Sequence, residues 1–247
     1  MAREGYLLHA GEEEIHDEGA ELKADTPKKK WDNFWFYHKW HVVAILVAAL
    51  LIAFFIHDMV TKVNPDYEIG MITEATYPSD MIDSLQKQVE KYADDRNGDG
   101  QVSVQINNYV LAAGTQPDAS TAQMQEANMV KMSADLSSGN SVIFITDLPS
   151  FQYQQKTGQI FSYTDGTNPE KNASDYDKMR IPLKDCKNLS PLKYDMQLAS
   201  GGSAGNVFDN LGVSLRVYKG SAMESQEKLT QYYKDSQKLF QKLVYGK

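Results

Sequence analysis

VIFITDL, residues Val142 to Leu148, carries five apolar side chains in seven, with no alternation of apolar and polar positions. A strand with one wet face alternates, whereas a short unbroken apolar run fits a strand covered on both faces in a parallel sheet. The segment before it fits that setting. Ala119 to Leu136 reads as a helix with Met124, Ala127, Val130, Met132 and Ala134 turned inward, and Gly139 ends it. Further back, VSVQINNYVL (Val102 to Leu111) alternates as a strand does, and YEIGMITEA (Tyr67 to Ala75) is a first extended segment. Between these two, Ser79 and Asp80 offer N-cap chemistry, and Met81, Ile82, Leu85, Val89, Tyr92 and Ala93 share one helical face.

Strand, helix, strand, helix, strand is the order of right-handed β-α-β units. The expected fold class is therefore α/β, a three-layer domain over residues 67–247 with a mainly parallel sheet. Beyond Pro149 the signals shorten. Gln152 to Gln155 reads as a brief helix, Ile160 to Tyr163 as a strand and Thr164 to Lys178 as a surface loop. LASGGSAGN (Leu198 to Asn206) is a second loop and VSLRVY (Val213 to Tyr218) a later strand. Glu224 to Tyr245 is the closing helix, with Leu229, Tyr233, Phe240, Leu243 and Val244 as its apolar stripe.

Upstream of the domain, TKVNPD (Thr61 to Asp66) reads as a linker, and residues 39–60 as a transmembrane signal anchor. Its centre, VVAILVAALLIAFFI (Val42 to Ile56), has fifteen residues without a polar side chain. At about 1.5 Å per residue this covers about 22 Å of a hydrocarbon slab roughly 30 Å thick. WDNFWFYHKW before it holds Trp31, Trp35 and Trp40, all the tryptophans of the chain, and such rings settle at the headgroup level. A buried helix of a soluble domain rarely pairs an aromatic belt with so long an apolar run. A cleaved signal peptide would need a shorter n-region and a small-x-small site after Ile56. Lys28, Lys29, Lys30 and Lys39 precede the span closely while Lys62 alone follows it, which puts the N-terminus in the cytoplasm and the domain outside the cell membrane. Residues 1–38 hold nine acids against five Lys or Arg and read as a disordered tail. Its His9 and His16 beside the acids could suggest a metal site, but scattered histidines in an acidic tail are usually solvated.

The charge balance, net −8, gives no support to nucleic-acid binding. One cysteine, Cys186, rules out an internal disulfide. No histidine follows His57, so the domain lacks the parts for Ser-His-Asp or Cys-His catalysis and for a His/Cys zinc site.

One motif carries a mechanism. In DRNGDGQ, Asp95, Asn97 and Asp99 can present side-chain oxygens to one Ca²⁺, Gly100 allows the turn, and the carbonyl of Gln101 adds a ligand. Ile106 stands where an EF-hand has its bidentate Glu, so the loop resembles the helix-loop-strand calcium loops of several extracellular proteins, some solute-binding proteins among them. The same residues also favour plain Asn-Gly and Asp-Gly turns.

In open α/β sheets ligands sit beyond the carboxyl ends of the strands, here Thr73, Glu74, Thr146 and Asp147. Polar residues at those positions also serve as ordinary loop starters. From Tyr67 to Asp147, the strand YEIGMITEA, the helix over SLQKQVEKY, the strand VSVQI and ANMVKMSADLSSGNSVIFITD together resemble the first lobe of a type II periplasmic solute-binding protein. About 185 residues outside the anchor imply that a second lobe is reduced or missing. The resemblance implies a non-enzymatic, membrane-anchored binding or sensor domain working with a transporter or other envelope protein. The alternatives are an envelope interaction scaffold and a carboxylate-dependent hydrolase, the last requiring two acids about 5 to 9 Å apart in a groove.

Overall fold

The computed structural model describes residues 26–61, 64–111, 119–197 and 203–247, and the chain divides into two units, residues 1–62 and 63–247. In the first unit, helix α1 runs Pro27–Thr61, 35 residues or about 52 Å. It is long and apolar enough to cross a membrane, and none of the described residues buries its apolar window. The helix starts well before the expected span. Pro27 takes the first helical position, where a missing N–H costs nothing, and Thr26 accepts from Lys29 N at 3.4 Å. The last part of the tail is thus helical. Its aromatic residues meet at helical spacing, Trp31 with Trp35 at 6.4 Å and Phe34 with His38 at 4.8 Å. Residues 1–25, with His9 and His16, lie outside the described residues.

The second unit opens with β1 (Tyr67–Thr73), α2 (Ser79–Glu90), β2 (Val104–Val110), α3 (Ala119–Ser138), β3 (Ser141–Asp147) and α4 (Leu148–Gly158). There follow the short strands β4 (Arg180–Pro182), β5 (Asp195–Gln197) and β6 (Ser203–Asn206). Then come β7 (Leu211–Leu215), α5 (Ala222–Ser225) and α6 (Glu227–Tyr245). The main sheet has the order β2-β1-β3-β7-β4, and β5 and β6 form a separate antiparallel pair.

The sheet is mixed, where a mainly parallel one was expected. β1 pairs in parallel with β2 and β3, but β7 is antiparallel to both β3 and β4. β4 therefore runs in the direction of β3, and the chain returns through β7 to fill the slot left between them. Apolar periodicity identifies a strand and its faces without fixing its direction, which is why this reversal could not be read.

The unbroken run of β3 is buried through Thr146, as a strand packed on both faces requires. One cluster joins Ile69, Met71, Ile143, Ile145 and Val213 to Met81, Leu85 and Val89 of α2 and Leu239, Phe240 and Leu243 of α6. A second joins Ile72, Tyr109 and Phe144 to Met132, Phe151 and Phe161. Gly70 is needed between them, because the Phe144 ring occupies the space of a Cβ there.

α3 departs from expectation. Of its five proposed inward residues only Met132 is buried, while Met124 and Val130 are 50% and 65% exposed. The inward face instead carries Asp135, which bonds Tyr109 and Ser141. α4 is longer than the brief helix expected, the segment at 160–163 makes a single bridge, Phe161 to Arg216, and the closing helix is broken at Gln226. β6 takes the last four residues of the expected 198–206 loop, and residues 198–202 lie outside the described residues. Cys186 is fully buried, its Sγ donates to the Pro182 carbonyl at 3.4 Å, and burial pushes its thiol up to about 12.

Candidate functional site

The carboxyl ends of β1 and β3 lie side by side, and Thr73 and Asp147 spend their side-chain oxygens on the backbone. Thr73, buried, donates through Oγ1 to the Ala75 carbonyl at 2.9 Å. Asp147 accepts from Glu74 N at 2.8 Å on one oxygen and from Ser150 N at 2.9 Å on the other. The second bond caps α4, with Pro149 in its first turn. Asp147 thus straps the turn after β1 to the start of α4. Thr146 is buried with no partner for its hydroxyl, and its carbonyl accepts from Arg180 Nη2 at 3.0 Å.

Arg180 is the residue that sequence reasoning missed. Its Nη2 also donates to the Asn210 carbonyl at 3.0 Å, and its Nε is buried without a partner. The guanidinium lies flat against Gly212, where an added Cβ would stand 2.5 Å from Cζ. Burial lowers its pKa, and the nearby charge of Asp147 opposes that shift. A cavity of about 320 Å³ opens beside it, lined by Leu148, Phe151, Tyr176, Asp177, Arg180 and Pro182. Of the four expected ligand residues, Thr146 and Asp147 adjoin this cavity in the chain, but none of the four lines it.

A wider cavity of about 570 Å³ includes Tyr163, Asp165, Asp175, Asp177 and Lys178. Two of its acids are engaged: Asp175 pairs with Lys178 at 3.1 Å and accepts from Tyr163 Oη at 3.0 Å. Asp165 is lowered by the hydroxyl and amide of Thr167, the opposite of what a general acid needs.

The Asp95 loop is held by its own hydrogen bonds. Asp95 accepts from Gly98 N at 2.7 Å and Gly100 N at 2.9 Å, Asn97 Oδ1 from Asp99 N at 2.8 Å, and Asp99 Oδ1 from Gln101 N at 2.8 Å. Each bond takes one lone pair of its oxygen and leaves another free. Beneath the loop lies Asp66, 1% exposed, which accepts from the amides of Arg96, Asn97 and Ser103 at 2.7 to 2.9 Å. The stretch read as a linker therefore ends in a buried anchor of the domain. Among the described residues no group of three or more His, Cys, Asp or Glu side chains is placed to hold a metal. Any ion at this loop would rely on two carboxylates, the Asn97 amide oxygen and main-chain carbonyls.

No protein-family model matches the chain, and neither curated proteins nor solved structures give a significant match.

Proposed function

We propose that this chain is a single-pass membrane protein with a cytoplasmic N-terminus, whose second unit is an extracytoplasmic three-layer α/β domain that binds a ligand or partner without catalysing a reaction. The observation that carries the reading is α1, whose apolar window is covered by none of the described residues. Soluble domains bury such surface, and lipid is the solvent that suits it. The lysines give the orientation, with Lys28, Lys29, Lys30 and Lys39 ahead of the span and Lys62 behind it.

A second reading, the interaction scaffold, is favoured by the way Thr73 and Asp147 use their oxygens on the backbone, which leaves less for a solute. Two measurements bear on these readings. Protease added to intact cells should digest the large C-terminal portion and spare the leader; the reverse pattern would end the topology and the roles built on it. Affinity capture of the full-length protein should then bring down transporter permease subunits if it serves solute uptake, and only cell-wall proteins if it is a scaffold.

Calcium belongs to the same reading as a weak ligand of Asp95, Asn97, Asp99 and Gln101, joining the end of α2 to β2. Without a bidentate Glu the expected affinity is in the millimolar range, like extracellular modules. Isothermal titration of the full-length protein in detergent micelles should show uptake that Asp95→Ala removes. Absence of heat up to about 10 mM CaCl₂, well above that range, would discard the ion.

A further inference from the structure

We propose that the cavity beside Arg180 is a binding site for a small monocarboxylate with an apolar body, the carboxylate meeting the guanidinium and the body resting on Leu148, Phe151, Tyr176 and Pro182. This gives a ligand class to the binding-domain reading and rests on it.

The argument begins with a charge that the protein leaves unpaired. A guanidinium cannot shed its proton, so a partly buried one is ordinarily matched by a carboxylate. Arg180 is partly buried, yet among the described residues no carboxylate lies within ion-pair distance of it; the ion pairs found among them are Lys178 with Asp175, Lys238 with Asp235 and Lys242 with Asp94. The acid whose charge acts on it, Asp147, has a main-chain amide on each oxygen. Two carbonyls hold Nη2, which fixes the plane of the group, and Nη1 makes no hydrogen bond among the described residues.

Other polar atoms nearby are also unspent. The hydroxyls of Thr146, Ser214 and Ser150 are buried without partners. By register Ser214 is opposite Arg180, and Thr146 is opposite Gly212, whose missing side chain gives the guanidinium its seat. Buried polar atoms without partners are uncommon inside a protein, and these three sit behind the cavity wall without lining it.

Apart from the Asp177 carboxylate the remaining wall is mostly apolar, and about 320 Å³ is near the lower end of small-molecule pockets. A planar monoanion matches the fixed, planar donor group. A dianion such as phosphate would suffer more from Asp147 and from Asp177, which is exposed on the cavity wall.

The test uses full-length protein in micelles with phenylacetate and 4-methylpentanoate as probes and phenylacetamide as the uncharged control, read by isothermal titration. The acids should bind at least tenfold more tightly than the amide. Arg180→Gln should abolish that preference, and Asp177→Asn should tighten the acids several-fold while leaving the amide unchanged. If Arg180→Gln fails to melt cooperatively, the Asp177→Asn comparison decides. Equal affinity for acid and amide, a folded Arg180→Gln that still prefers acids, or no acid binding at 10 mM to either wild type or Asp177→Asn would each overturn the proposal. Binding in micelles does not depend on which way the protein faces in a cell. A negative titration therefore leaves the topology standing, and a reversed topology leaves the titration standing.

Discussion

Replacement of Asp135 by alanine is expected to cost about 4 kcal/mol of folding stability, as the sum of several orphaned buried groups. Asp135 is 5% exposed at the end of α3, and its carboxylate accepts from Tyr109 Oη, from Ser141 N at 2.7 Å and from Ser141 Oγ at 2.6 Å. It also supplies the negative charge near Arg216, whose guanidinium reaches the Leu136 carbonyl and has Nη1 buried without a partner. Burial, then the bond to Asp135, raises the Tyr109 phenol above its ordinary range, so the tyrosine keeps its proton and donates it in that bond. The carboxylate therefore ties α3 to both β2 and β3. Urea unfolding of the full-length protein, followed by circular dichroism, measures the loss. Asp135→Asn, which keeps an acceptor for Ser141 N, should recover part of it. A loss below about 1 kcal/mol for the alanine variant, the worth of one ordinary hydrogen bond, would show that the network carries no such weight.

Replacement of Asp66 by alanine is expected to cost about 3 kcal/mol, because three main-chain amides lose a charged acceptor together. Two of these amides belong to Arg96 and Asn97 and the third to Ser103, so one side chain closes the connection between α2 and β2. The Asp66 amide in turn donates to the Ser103 carbonyl at 2.8 Å, which locks the start of β1 to the start of β2. Amide hydrogen exchange over residues 95–103 should quicken markedly in Asp66→Ala, ahead of any change in α6. Asp95→Ala, at an exposed position, should cost under about 1 kcal/mol in the absence of calcium. If the two variants were equally destabilised, the buried anchor would not be what shapes this loop.

These two aspartates mark where the sequence stops being readable. β1, α2, β2 and β3 stand out because their apolar spacing is set by a core that each meets along its whole length. Asp66 looks like part of a linker because an acid next to proline favours a turn, and the amides that give it a role lie 30 to 37 positions away. Asp135 interrupts the apolar face of α3, and Tyr109, Ser141 and the nearby Arg216 charge make its burial tolerable.

The strand-end site was half legible. Asp147 followed by Pro149 is a helix-start signature, and read as such it would have predicted α4 from Leu148 and given the aspartate a capping role. Arg180 offered no signal. It lies in a three-residue edge strand, and its seat is made by Gly212 and Asn210, about thirty positions later in the chain.

The buried sulfur of Cys186 has a consequence for where such a chain can survive. A lone cysteine exposed to oxidants is a hazard, since two copies can cross-link or the atom can climb to sulfenic and sulfinic acids. Attack in either case requires access and thiolate character. Cys186 has no surface, and its ionisation is displaced to about 12. Folded copies therefore stay monomeric with respect to sulfur chemistry on the reducing and the oxidising side of a bilayer alike.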